Sequence, residues 1–113
     1  LRRRHHRRTQ SAVKLRVWVS PQARVEIREL VAWWRENRPA AASHLPQELQ
    51  RVLRLLGEAP NAGAPYPVDG IEGVRRYRLK GTPYAVYYQV DQAEGMVKVA
   101  SVWSSMRGSG PHL

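Results

Sequence analysis

Residues 73–108 read GVRRYRLKGTPYAVYYQVDQAEGMVKVASVWSSMRG, and the alternation in this stretch decides the fold. Side chains along an extended strand point alternately to opposite faces. Val74, Arg76, Arg78 and Lys80 therefore share one side, and Arg75, Tyr77 and Leu79 share the other. In the next run, Tyr84, Val86, Tyr88 and Val90 fall together as a core-facing set, while Ala85, Tyr87 and Gln89 face away beside Arg76 and Arg78. Gly81-Thr82 and the polar gap from Asp91 to Gly95 supply turns, so the stretch reads as three consecutive antiparallel strands. One face is apolar and packs on a core. The other is cationic and is offered to an anionic partner.

Working outward, Val13, Leu15, Val17 and Val19 alternate with Lys14, Arg16 and Trp18, which predicts a further strand. Ser20-Pro21 ends it and opens a helix, because serine caps the first turn and proline at the first position forfeits no helical hydrogen bond. Ala23, Ile27, Leu30, Val31 and Trp34 then recur at helical spacing up to Asn37, before Pro39. Ala41, Leu45, Leu49, Val52, Leu53 and Leu56 predict a second helix, with Pro46 as a kink or restart and Gly57 as a stop. The short link between them implies a helical hairpin. Residues 57–72 show neither periodicity and are expected to form an ordered loop anchored by Tyr66, Val68 and Ile71. The expected architecture is α+β in the order β-α-α-β-β-β, with the hairpin packed on one face of a mainly antiparallel four-stranded sheet.

Composition limits the chemistry. A chain of 113 residues makes one domain and buries enough surface to fold without staples. The absence of cysteine excludes disulfides, thiolate catalysis and cysteine-held metals, and nothing calls for an oxidising compartment. No apolar run approaches the ~20 residues that span a bilayer, and no leader pattern follows the basic start, so a cytoplasmic protein without membrane contact is expected. The net charge of +10 is uneven, since five of the arginines fall within the first eight residues. We expect residues 1–11 to be a disordered basic extension and residues 12–113 to form the domain. His5 and His6 sit among those arginines, where a divalent cation is disfavoured; no metal or cofactor site is expected.

Acid–base machinery is sparse. The histidines are His5, His6, His44 and His112, and no Ser/His/Asp grouping is credible. Glu26, Glu29 and Glu36 read as a solvated helix face. Trp18 and Trp103 read as packing residues, Trp33 as a rim or partner contact, Lys80 as solvated, and Arg75 as an edge residue pairing with an acid. The aromatic–basic alternation remains, with Arg76, Arg78, Tyr87 and the loop residue Arg107 as candidate contact residues.

The segments SPQARVEIRELVAWW, LGEAPNAG, VRRYRLKGTPYAVYYQV and VASVWSSMRG, in this order and spacing, resemble the RelE/ParE superfamily of bacterial type II toxins across roughly residues 13–110. The resemblance implies a small toxin neutralised by a cognate antitoxin that wraps it and blocks its cationic face. RelE-type members cleave messenger RNA on the ribosome, using clustered cations to stabilise the phosphorane and another group to move protons. Arg76 and Arg78 stand where two basic residues of that pattern lie, and Arg107 matches the C-terminal arginine. Ala85 takes the place of the third-strand arginine, and Ser104 that of a histidine many relatives carry. ParE-type members instead poison DNA gyrase and stabilise plasmids or chromosomal segments. The incomplete nuclease set favours the ParE-like branch over a ribosome-dependent nuclease, with a non-toxic basic binding module as the third reading.

Overall fold

The computed structural model describes residues 14–105 and 110–113. Val13, the basic extension 1–11 and Arg107 lie outside the described residues.

Strand β1 spans Arg16–Val19 and ends where predicted. Ser20 holds extended geometry, and its hydroxyl accepts the Ala23 N–H at 3.0 Å, starting helix α1 over Pro21–Asn37. A 3-10 turn at Pro39–Ala41 links it to helix α2, His44–Glu58. Pro46 is the third residue of α2, where backbone N–H groups have no intrahelical partner, so it sits in a restarted helix without breaking it. Gly57 is not the stop that was expected. It lies inside the last turn, where a Cβ would come within 2.8 Å of the Leu15 carbonyl oxygen, and its own carbonyl accepts the Leu15 N–H at 2.9 Å. The glycine lets the β1 backbone approach α2 directly.

The connection after α2 is ordered, as expected, but it contains a strand that composition hides. Ala64–Pro65 forms a two-residue β2 paired antiparallel with β3, Arg75–Arg78. With β4 at Tyr84–Asp91 and β5 at Met96–Ser104, the sheet has five strands in the order β1-β5-β4-β3-β2. This corrects the expected four. The β2–β3, β3–β4 and β4–β5 pairs are antiparallel, and β1 runs parallel to β5. A register shift at Tyr87/Tyr88 leaves Ala100 as an extra residue in β5.

Both helices contribute to the core on one face. Ala23 from α1 and Leu45, Leu49, Val52 and Leu56 from α2 cluster with Val86, Tyr88, Val97, Val99 and Val102 from the sheet. Trp34 adds a hydrogen bond from its indole N–H to the Tyr84 hydroxyl at 2.8 Å. Among the described residues no helix is long and apolar enough to cross a membrane.

Tyr88 ties the connecting loop to this core. Its hydroxyl donates to the Pro60 carbonyl at 2.8 Å and accepts the Gly63 N–H at 2.8 Å. Burial pushes the phenol up from its ordinary value, against the smaller lowering effects of the Gly63 hydrogen bond and the Arg75 charge, so the donor proton stays in place. Gly63 is wedged in, since a Cβ would come within 2.7 Å of the Tyr88 hydroxyl and 2.9 Å of the Arg76 carbonyl. Gly63→Ala is expected to destabilise the domain by about 1–3 kcal/mol through this overpacking, read as a lower midpoint in urea unfolding.

Candidate functional site: the outer face of the sheet

The face opposite the helices is built mainly by β3 and β4. Their register sets Arg76 against Tyr87 and Arg78 against Ala85, so the predicted pairing of arginines with the second set of strand residues is observed. On β5, Ala85 is matched by Trp103 and Gln89 by Lys98, and Trp18 of β1 continues the row beyond Lys98. Arg78 is exposed and Arg76 half-buried. No second layer of secondary structure covers this side among the described elements.

Arg76 is held rather than free. Its guanidinium carbon lies 5.0 Å from the centroid of the Tyr66 ring, a cation–π contact. Tyr66 in turn meets Tyr87 edge-on, with centroids 4.9 Å apart and planes at 73°. Tyr87 is only 2% exposed, because Tyr66 stands beside it. The aromatic surface near the arginines therefore includes a loop residue. Sequence reasoning placed Tyr66 only as a loop anchor; its position two residues beyond Ala64, in the strand direction of β2, carried the missed signal.

Arg75, the neighbouring arginine, turns the other way. Its guanidinium donates to the carbonyls of Gly63 and Asn61 and so secures the loop. The expected acid partner is replaced by backbone oxygens, which accept a cation's N–H groups equally well when a loop carbonyl is near.

One carboxylate braces the site from behind. Glu48 of α2 is buried, and it accepts the N–H groups of Lys80 and Gly81, each at 2.8 Å, and the Thr82 hydroxyl at 2.9 Å. The β3–β4 turn is thereby pinned to the helix layer. Burial works to raise the Glu48 pKa, but the hydrogen bonds from Gly81, Thr82 and Lys80, with the Arg51 charge, outweigh it and hold the carboxyl below its ordinary value. At the other turn, Asp91 is held low by the Glu94 N–H and by Lys98.

Glu26 departs from the solvated face expected of it. Strand β1 pairs with β5 only as far as Val99, so the β5 edge beyond needs another partner. Glu26 fills it, accepting the Ser101 hydroxyl at 2.8 Å and the Val102 N–H at 3.0 Å. Nearby, Ser104 pairs with Tyr84, whose ring belongs to the core. With Glu26, Glu29, Leu30 and Trp33 it lines a cleft of about 360 Å³ against α1, away from Arg76 and Arg78. Trp33 is 48% exposed there, as a rim residue should be. Trp18, expected to pack, is 44% exposed because its strand is at the sheet edge and points to the uncovered face.

His44 starts α2, and the His112 carbonyl is held by Gln22 at the first turn of α1. The β1 side of the sheet is three strand positions from β3, roughly 14 Å at ordinary strand spacing. The face thus presents cations and aromatic surface, with the fully buried Ala85 between them.

Comparisons with known proteins agree with this geometry. The family model for the ParE toxin of the parDE type II toxin–antitoxin system matches residues 17–108. No curated protein sequence matches the chain. Among solved structures, the chain is similar to one from the chromosomal ParDE system of P. aeruginosa at 16% identity, covering 80% of this chain and 96% of that one with a TM-score of 0.66. It is also similar to one from a RelBE toxin–antitoxin complex of Mycobacterium tuberculosis, at 16% identity, 81% and 99% coverage and a TM-score of 0.56. A third, from the archaeal RelE–RelB complex of Pyrococcus horikoshii, gives 15% identity, 84% and 99% coverage and a TM-score of 0.53. At such identities these structures speak to the fold. The family match spans nearly the whole described sheet and both helices, and on it the chain belongs to the ParE toxin family of type II toxin–antitoxin systems, within the RelE/ParE superfamily.

Proposed function

We propose that this toxin acts in the cytoplasm on DNA gyrase, contacting its target through the outer face of the sheet, and that a cognate antitoxin neutralises it by covering that face. The observation that carries the reading is the composition of the face itself. Arg76 and Arg78 project from adjacent outward positions of β3, while the facing positions are Ala85 and the Tyr66-backed Tyr87. Such a surface binds an anionic or aromatic-accepting partner through charge and stacking. A ribonuclease would need, in addition, a group that moves protons near neutral pH beside the arginines.

In this reading Arg76 and Arg78 are the primary contacts and Arg107 adds a third cation. Tyr87 acts as the support for Tyr66, and no cofactor takes part. Induced expression without an antitoxin is expected to arrest growth with loss of plasmid supercoiling and with messenger RNA left intact. Co-expression of the small protein encoded beside it should restore growth. Ribosome-dependent cleavage of messenger RNA with supercoiling unchanged would favour the RelE-like activity, and undisturbed growth would favour a non-toxic binding module.

A further inference from the structure

We propose that Lys80 is a further target-contacting cation and that Glu48 is the positioning residue holding it beside Arg78, a role that rests on the reading of the outer face as the working surface. The β3–β4 connection carries the case. The ladder runs one residue past β3, since the Leu79 N–H donates to the Tyr84 carbonyl at 2.9 Å. Leu79 is buried in the core cluster, so strand alternation carries the exposed Lys80 to the side of Arg76 and Arg78. Among the described residues, the backbone from Lys80 to Thr82 makes no cross-strand hydrogen bond of its own. Its anchors come from other elements. Glu48 accepts the Lys80 and Gly81 N–H groups and the Thr82 hydroxyl, and the Pro83 carbonyl accepts the Ser105 N–H at 2.9 Å. A carboxylate from the helix layer thus does for this turn what strand pairing does elsewhere in the sheet.

Glu48 takes the Lys80 backbone and leaves its ammonium available. The ion pairs among the described residues are Lys14–Glu58 and Lys98–Asp91, so within that set neither Lys80 nor Arg78 has an acidic partner. The other cations of β3 and β5 are committed. Lys98 pairs with Asp91, Arg75 donates to the Gly63 and Asn61 carbonyls, and Arg76 lies over the Tyr66 ring. Arg78 and Lys80 are left as neighbouring exposed charges, two residues or roughly 7 Å apart along an extended chain. A lysine on a loose turn loses part of its contact free energy to ordering, whereas one on a turn already pinned does not. The buried carboxylate therefore acts on binding through the lysine, in addition to its effect on stability.

The test measures gyrase inhibition by the full chain, by Lys80→Ala, by Glu48→Gln and by the double variant, each corrected for its folded fraction from urea unfolding. Lys80→Ala keeps the N–H that Glu48 accepts, so its urea midpoint is expected to hold while its half-inhibitory concentration rises about fivefold. Glu48→Gln turns an NH2 group toward one of the three donors, so the turn loosens and inhibition is expected to weaken about threefold. In the Lys80→Ala background the same change is expected to lower the urea midpoint again but to leave inhibition where Lys80→Ala alone put it. Thr82→Ala removes one donor more mildly and repeats the comparison should Glu48→Gln not fold. Unchanged inhibition by Lys80→Ala would overturn the contact role and the proposal with it. Equal losses from Glu48→Gln in both backgrounds, or none in either, would overturn the positioning role of Glu48. Gyrase untouched by the parent chain would overturn the reading of the face itself, an outcome distinct from both.

Discussion

Replacing Arg76 and Arg78 together with alanine is expected to weaken growth arrest severely while leaving a folded domain. Both side chains project from the uncovered face, and neither belongs to the core cluster. The structural cost is mainly the contact of Arg76 with the Tyr66 ring, about 0.5–1 kcal/mol, with Arg78 adding no more than about 0.5 kcal/mol. Truncating an arginine at the centre of an interface commonly costs about 2 kcal/mol or more, roughly 30-fold in affinity. Two adjacent arginines do not add strictly, so a loss of about 100-fold in potency is the expected scale. Inducer titration against growth checks it, with circular dichroism confirming the fold. Arg75→Ala supplies the contrast. It releases the Gly63 and Asn61 carbonyls, so it should lower stability while the folded fraction keeps its potency.

Glu48→Ala is expected to be the most destabilising single change, by about 2–4 kcal/mol, because it strands three donors that converge on one buried carboxylate. For a domain of this size that corresponds to roughly 10–20 °C in Tm. Glu48→Gln keeps an oxygen acceptor and should lose about half as much. The same carboxylate sets an acid sensitivity. Its pKa is lower folded than unfolded, so its contribution is fully present above the unfolded glutamate value of about 4.3. That contribution falls as pH drops from there through the depressed folded value. Urea midpoints measured from pH 6 downward should therefore decline more steeply below about pH 4.3 in the parent than in Glu48→Gln.

Much of this architecture was legible in the chain because it rests on local patterns. The Ser20-Pro21 cap, the restart around Pro46 and the outward placement of Arg76 and Arg78 each follow from a few neighbouring residues. What escaped depends on approach between distant segments. Ala64–Pro65 is too short to show a period, so β2 and the positioning of Tyr66 emerge only once β3 is beside them. Glu26 and Glu48 look like ordinary helix charges until the N–H groups of Val102, Lys80 and Gly81 arrive from 32 to 76 residues away. Gly57 looks like a helix stop because the Leu15 backbone that requires it lies in another strand region. Ser104, which the resemblance sets in the place of a histidine, stands opposite Tyr84 in the β4–β5 register, a pairing that only the folded sheet shows.

Recognition of gyrase by the arginine face of β3 is open to a direct test with purified components. Relaxed plasmid, gyrase and ATP are incubated with increasing amounts of the chain or of the Arg76→Ala, Arg78→Ala variant, and supercoiling and cleaved DNA are quantified on gels. Loss of supercoiling with gyrase-dependent cleaved DNA is expected for the parent, shifted about 100-fold to higher concentration in the variant. Unaffected gyrase at saturating toxin, alongside cleavage of messenger RNA on programmed ribosomes, would contradict it.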